Sequence, residues 1–409
     1  MKIVNIDSFP IYPRIAERYK SHGRTHDYYS RMFYRVTTDN GIVGYGDYDW
    51  EGARQKEPKL DRIVDRNPFD FLNNNFNPGL GMTLYDVMGK YLEVPAYKLM
   101  GQKVRDGVTV AAWTGSCTPA LYREEIKRAV ALGYMVFKMH MRGFWDVMEH
   151  IRMAEEVAPP GFKLHFDFNG NRTMGGVLDL VNRMEQHPIV GFIEDPFPNH
   201  ALDDWRRLRE KSRIPIVMHK NPLSGYQEAL TGVADIYMIG DGYPTCSIGD
   251  TLSRGNLYSR ANIQTIMQMT GGTLGKALAL HMAAVLPSAT GHSINLEDQC
   301  DDDVATKKIP IIEGFSPVPE GPGLGVNVDE AAIKRLSAPR PQATTRRLGI
   351  TYMPGGKKLY TPSNPDLTRI TGWEEGTVRG ADFEYWFDDG SKEFAAMHAR
   401  VAAGGPQWE

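Results

Sequence analysis

Cysteine is scarce in this chain. Three residues, Cys117, Cys246 and Cys300, are scattered over 409 positions. They form no CxxC pair and no zinc-type spacing, so a disulfide framework and a structural zinc module are both excluded. A sparse, odd set of thiols fits a reducing compartment, and the expected location is the cytoplasm. Long apolar runs are missing as well. No stretch approaches the roughly 20 apolar residues of a membrane helix. The opening segment MKIVNIDSFPIYPRI lacks the apolar core and small-residue cleavage site of a signal peptide. Positive charge is not in excess: the formal net charge is -3, which leaves no basic footprint for nucleic acid. No GxGxxG turn follows a strand-like run, which removes the support for a dinucleotide-binding fold.

What is present reads as a folded chain. Hydrophobic residues make up 42% and charged residues 24%, ordinary values for a globular protein. Residues 1–105 read as an α+β unit. Two strand-like stretches flank a polar, basic and aromatic loop, RYKSHGRTHDYYSR. Asp39-Asn40-Gly41 is a hairpin signal, and apolar residues at helical spacing follow from about Thr83 to Met100. From 106 to 335 the pattern changes. Eight short apolar runs (VTVAAWTG, YMVFKMH, FKLHFDFNG, VGFIEDP, IPIVMHK, ADIYMIGD, NIQTIMQ and GHSINLED) alternate with amphipathic helical stretches. Eight β-α units in succession predict a closed (β/α)8 barrel, with the first unit as a capping domain. Residues 336–409 show no clear period and are expected to be an extension packed on the barrel or on a neighbouring subunit.

In such a barrel, chemistry sits at the C-terminal ends of the strands. Polar groups occupy those ends here: Lys138 and His140, Asp167 and Asn169, Glu194 and Asp195, His219 and Lys220, Asp241, Gln268, and Glu297. Any one of them alone reads as a cap or turn residue. The combination is more specific. Asp167 and Glu194 are one β-α unit apart, on adjacent strand ends, and two carboxylates of this kind suit a hard cation such as Mg2+. A lysine and a histidine beside them supply an electrophile and a base. That is the equipment for removing a proton next to a carboxylate.

The K-x-H of FKMHMR, the D-x-N of HFDFNGN, the later FIEDP and the GPGLGV segment together resemble the mandelate racemase-like subgroup of the enolase superfamily, over roughly residues 1–335. The resemblance implies three carboxylates on one Mg2+. Asp167 and Glu194 match the first two, but the third position falls at His219, with Lys220 next to it. The site would then use His219 as a nitrogen ligand, hold the ion through two carboxylates and water, or place the Lys220 ammonium where the metal would sit. The resemblance further implies that Lys138 touches the substrate carboxylate and that His140 is the base. Asp241 matches the acid of an Asp-His dyad whose histidine position holds Gln268. Glu297 would hydrogen-bond the enolic oxygen.

With one competent face, dehydration of an acid sugar is favoured over two-base racemisation. A one-base epimerase, and a catalytically silent barrel with a binding role, are the alternatives. The family's capping loop closes over the substrate, which here implicates Arg18, Lys20, His22, Arg24 and His26. Trp113, Tyr48 and Trp50 border the pocket, and Asn169 lines or caps it. The expected partner is a small carboxylate-bearing substrate, with no nucleic acid and no membrane, and a homo-oligomer is expected.

Overall fold

The structure is a computed structural model that describes residues 1–20, 22, 26–49, 59–143, 145–221, 225–241, 247–340, 346–362 and 381–409. Arg24, Trp50 and Cys246 lie outside the described residues, and of Lys20 only the backbone is described.

The first three strands, β1 (Ile3–Ile11), β2 (Arg31–Thr38) and β3 (Val43–Asp49), form an antiparallel sheet in the order β1-β2-β3. Helix α1 (Pro78–Leu92) packs on it, and its start carries two signals at once. Asn77 accepts a hydrogen bond from Leu80 N, and Pro78 sits at the first helical position. Most of α1 is buried, from Pro78 to Gly89.

The eight apolar runs all become parallel strands. They are β4 (Gly107–Thr114), β5 (Val136–His140), β6 (Lys163–Asp167), β7 (Val190–Glu194), β8 (Ile216–Met218), β9 (Ile236–Gly240), β10 (Gln264–Met269) and β11 (Ser293–Asn295). Pairing of β11 with β4, through Ser293 with Val110 and Ile294 with Ala111, closes the barrel. The strands alternate with α2 (Pro119–Ala131), α3 (Val147–Glu155), α4 (Met174–Met184), α5 (Leu202–Lys211), α6 (Tyr226–Thr231), α7 (Ile248–Arg260) and α8 (Thr273–Val285). Val136, Val217, Ile236, Met238, Ile266 and Ile294 fill the barrel interior as one cluster, with Ala111 and Trp113 from β4. A short β12 (Phe315–Pro317) lies antiparallel to β4, and α9 (Glu330–Leu336) follows.

The remaining segment has its own structure. Strands β13 (Arg347–Tyr352), β14 (Lys358–Pro362), β15 (Asp382–Phe387) and β16 (Gln407–Trp408) form an antiparallel sheet in the order β15-β13-β14-β16. One face packs on α10 (Lys392–Gly404) through Leu348, Ile350, Phe394, Met397 and Val401. Leu359 and Phe383 on the other face join the main core, and Phe383 meets Trp145 edge to face at 5.4 Å.

Arg31 joins the capping sheet to the barrel. Buried to 1% exposure, it meets Asp47 at 2.8 Å and Asp303 at 3.5 Å. Asp303 in turn accepts from the backbone N and the hydroxyl of Thr273, at the start of α8. Among the described residues, no helix is long and apolar enough to cross a membrane.

Candidate active site

Period-two alternation aims Lys138 and His140 into the barrel mouth from β5, Asp167 from β6 and Glu194 from β7. Their side chains meet there. Lys138 Nζ lies 2.7 Å from Glu194 Oε2, 3.2 Å from Asp167 Oδ2 and 3.2 Å from Gln268 Oε1. It is wholly buried. Burial opposes its charge, but Glu194 and Asp167 outweigh that cost and its pKa is raised. Burial opposes the Glu194 charge too, yet Lys138 and two histidines hold this carboxyl well below the usual range. Asp167 is pushed upward by burial and by the Glu194 charge beside it.

His140 is the accessible member of the group. Its side chain is 32% exposed, with Nε2 3.3 Å from Asp167 Oδ2. Trp113 meets the ring edge to face at 5.0 Å and limits its rotation. A base needs this combination: a fixed orientation and a face open to a ligand.

His219 sits across the mouth, at the end of β8. Its Nδ1 is 3.2 Å from Glu194 Oε1 and its Nε2 is 2.8 Å from Asp241 O. Both nitrogens therefore face acceptors. Burial works against a charge on this ring, but the Glu194 contact raises its pKa to about 9. Glu194, Asp195 and His219 bring ligand atoms within 4.8 Å of one another. Two carboxylates and an imidazole suit a divalent ion, and the nitrogen moves the preference from Mg2+ toward Mn2+, Fe2+, Co2+ or Zn2+. The close set differs from the expected one: Asp195 takes the place of Asp167, whose Oδ2 faces Lys138 and His140 instead. His219 must also give up a proton before it can ligate.

Other expected residues have different surroundings. Lys220 is exposed, while Lys138 is the cation between the Asp167 and Glu194 carboxylates. Asp241 meets Gln268 through the backbone, Asp241 N donating to Gln268 O at 2.6 Å. Its carboxylate accepts from the Tyr48 hydroxyl and from Thr270 N, which ties the mouth to the capping sheet. Gln268 instead lies between Lys138 and His219, with its Nε2 3.4 Å from His219 Nε2. Glu297 pairs with Lys276 of α8 at 2.6 Å, beside Thr273. Asn169 adopts a left-handed φ of 51° and donates from its N to Asp167 Oδ1 at 2.8 Å, so it orients that carboxylate. His22 is buried, with Nδ1 2.8 Å from Thr114 Oγ1. Burial, then Arg18 and Arg128, lower its pKa to about 4, which favours the neutral ring. Arg18 pairs with Glu125 at 3.2 Å and donates to Asp298 O.

The sequence reading passed over two histidines beneath the site. His165 Nε2 is 2.7 Å from Glu194 Oε2, and His165 Nδ1 is 2.9 Å from His292 Nε2. Both rings are buried, with Phe192 against them. Burial lowers the His165 pKa. The signal was available for His165, since it stands two residues before Asp167 and so points to the same side of β6.

Comparison with known proteins identifies the family. Residues 121–332 match the family described as enolase C-terminal domain-like. The chain is 25% identical over 351 residues to a D-galactonate dehydratase of Ralstonia nicotianae, covering 76% of this chain and 92% of that protein. It is 26% identical over 361 residues to a D-xylonate dehydratase of Haloferax volcanii, covering 75% and 85%. Among solved structures, an enolase from Thermobispora bispora complexed with magnesium and formate superposes with a TM-score of 0.72 at 18% identity, covering 84% of this chain and 96% of that one. With an eight-stranded barrel behind an antiparallel capping sheet and carboxylates gathered at the mouth, this chain belongs to the enolase superfamily, in its mandelate racemase-like branch.

Proposed function

We propose that the protein is an acid-sugar dehydratase that removes the proton alpha to the substrate carboxylate. The observation that carries this reading is the asymmetry of the mouth. His140 is an accessible imidazole oriented by Asp167 and Trp113. The opposite side holds Gln268, which has no usable basicity, and an Asp241 committed to Tyr48. One competent group suits elimination, in which the α proton and the β hydroxyl leave from one substrate. The two dehydratase relatives support the same class.

In this mechanism the Lys138 ammonium, enclosed by Glu194, Asp167 and Gln268, holds the two carboxylates in place beneath the substrate. His140 takes the α proton and returns a proton to the departing β hydroxyl on the same face, so water leaves and the enol tautomerises to a 2-keto-3-deoxy acid. Asp167 holds the imidazole in place. A divalent cation held by Glu194, Asp195 and His219 would supply Lewis-acid stabilisation of the enediolate. The His165–His292 pair keeps Glu194 oriented from below.

The test is a screen of aldonic and uronic acids for 2-keto-3-deoxy products, run with wild type and with His140→Asn. The reading expects one or more acids to be dehydrated by wild type, and a loss of about 10²–10⁴-fold in kcat in the variant. Turnover that survives the substitution would remove His140 from the mechanism.

A further inference from the structure

The sheet formed by the last strands carries, on its barrel-facing side, a buried cation that has no acidic partner among the described residues. Alternation along β13 puts Leu348 and Ile350 toward α10, and therefore Arg347 and Thr351 toward the barrel. Arg347 is 8% exposed, and its Nε and Nη1 are buried without a hydrogen-bond partner. Its guanidinium stacks over the Tyr385 ring with 4.3 Å to the centroid. Stacking of this kind satisfies the face of a guanidinium but not the N–H groups along its edge, which suit a planar oxyanion. Among the described residues no carboxylate pairs with it, whereas its neighbour Arg346 meets Asp388 at 2.6 Å. A buried guanidinium without an anion is a costly arrangement for a fold to keep.

Its surroundings add to the positive charge. Tyr385 feels Arg347 and then Arg142, an exposed residue two positions after His140. The same loop after β5 carries Trp145, which Phe383 of the C-terminal sheet covers. The start of this loop is tied to the candidate active site, through Ser116 Oγ donating to His140 O at 2.9 Å and Met141 N donating to Asp167 O at 2.7 Å. The cationic patch therefore borders the strand end that carries the base.

We propose that Arg347, Arg142 and Tyr385 form a subsite for an oxyanion, a carboxylate or phosphate group, between the C-terminal sheet and the loop that follows β5. The anion is either a second acidic group on a small-molecule substrate or free phosphate. The subsite is read by binding, without turnover, so it stands or falls apart from the dehydration reading.

The experiment titrates the full-length protein with sodium phosphate and, separately, sodium succinate. Sodium chloride at matched ionic strength is the control, and calorimetry and thermal melting are the readouts. A saturable rise in melting temperature is expected with at least one of the two anions, because a ligand bound only by the folded state stabilises it. A response to phosphate alone assigns a phosphate-bearing ligand; a response to succinate alone assigns a carboxylate-bearing one. Arg347→Met is expected to bind the responding anion at least roughly tenfold more weakly, the scale of losing a charge-assisted hydrogen bond. It is also expected to melt no lower than wild type in chloride, since it removes an unpaired buried charge. Should Arg347→Met fail to fold, Arg142→Met serves, because Arg142 is exposed, and a several-fold loss of affinity is expected. No saturable response in wild type overturns the subsite, and so does undiminished affinity in the folded variants.

Discussion

The Lys138 ammonium lies 2.7 Å and 2.8 Å from the two carboxylate oxygens of Glu194, at the centre of the barrel mouth and out of contact with solvent. The same ammonium is 3.2 Å from Asp167. One lysine thus bridges the two carboxylates that the sequence pattern marks most clearly.

Removing that charge leaves buried carboxylates without their main counter-ion. Lys138→Met is expected to lower the unfolding free energy by about 3–5 kcal/mol, the range for breaking one partner of a buried ion pair. His165 and His219 still contact Glu194, which places the loss toward the lower end. In a Glu194→Gln background the same substitution should cost less than half as much. Urea denaturation of the four proteins of the cycle checks this. Equal costs in both backgrounds would mean that the pair is not energetically coupled.

The barrel was legible because each strand is a short apolar run closed by polar residues and followed by a 3.6-period helix. Those signals are local, and all eight runs became strands. The convergence of Lys138, His140, Asp167 and Glu194 followed from strand alternation alone. Partner choice among them did not. Nothing local says that Glu297 turns to Lys276, or that Asp241 accepts from Tyr48 in another part of the chain. The basic loop is polar in sequence, yet Tyr19 and His22 are buried, with Tyr19 donating to Trp113 O and His22 contacting Thr114. The C-terminal sheet escaped because its central strand, RLGITY, interrupts alternation with Gly349. At that position a Cβ would lie 2.8 Å from the Phe383 ring and from the Thr361 hydroxyl, so packing rather than pattern chose the residue.

The donor set at the mouth makes a prediction about metal preference. His219 contributes a nitrogen where an oxygen would favour Mg2+. At equal concentration Mn2+ should raise the melting temperature more than Mg2+, and a chelator should remove both shifts. His219→Glu should reverse the order, and Glu194→Gln should abolish the response to either ion. A larger Mg2+ shift in wild type would show that the imidazole is not a ligand.

Acid sensitivity should arise away from the mouth. His281 is wholly buried on α8, with Nε2 donating to Leu324 O at 3.2 Å and Nδ1 without a partner. Burial lowers its pKa from the ordinary 6.5 to about 4. The unfolded chain therefore takes up a proton at a higher pH than the folded one. The stability associated with the neutral ring is fully present above pH 6.5 and is lost as pH falls from there to about 4. His281→Leu should flatten this part of the stability–pH curve, by up to about 3 kcal/mol between pH 6.5 and 4. Unfolding free energies measured at pH 7, 5.5 and 4.5 give the comparison. Parallel curves for wild type and variant would assign the acid limb to other groups.

In the proposed dehydratase, Gln268 is the residue expected to limit racemisation, and a histidine placed there is expected not to lift that limit. Gln268→His would place an imidazole between Lys138 and His219, two groups with raised pKa values, so the new ring is held neutral or repelled by positive charge. It would also lack a carboxylate to orient it, because Asp241 is held by the Tyr48 hydroxyl and Thr270 N. Gly240, just before Asp241, fixes that geometry: its φ is 100°, and a Cβ there would stand 2.3 Å from the carbonyl oxygen of residue 268. The single variant is therefore expected to exchange no α proton from the face opposite His140 and to form no epimer in deuterium oxide. Adding Tyr48→Phe removes the hydroxyl that occupies Asp241 and should permit slow exchange. Epimer formation by Gln268→His alone would show that the Tyr48–Asp241 bond does not restrain the dyad position.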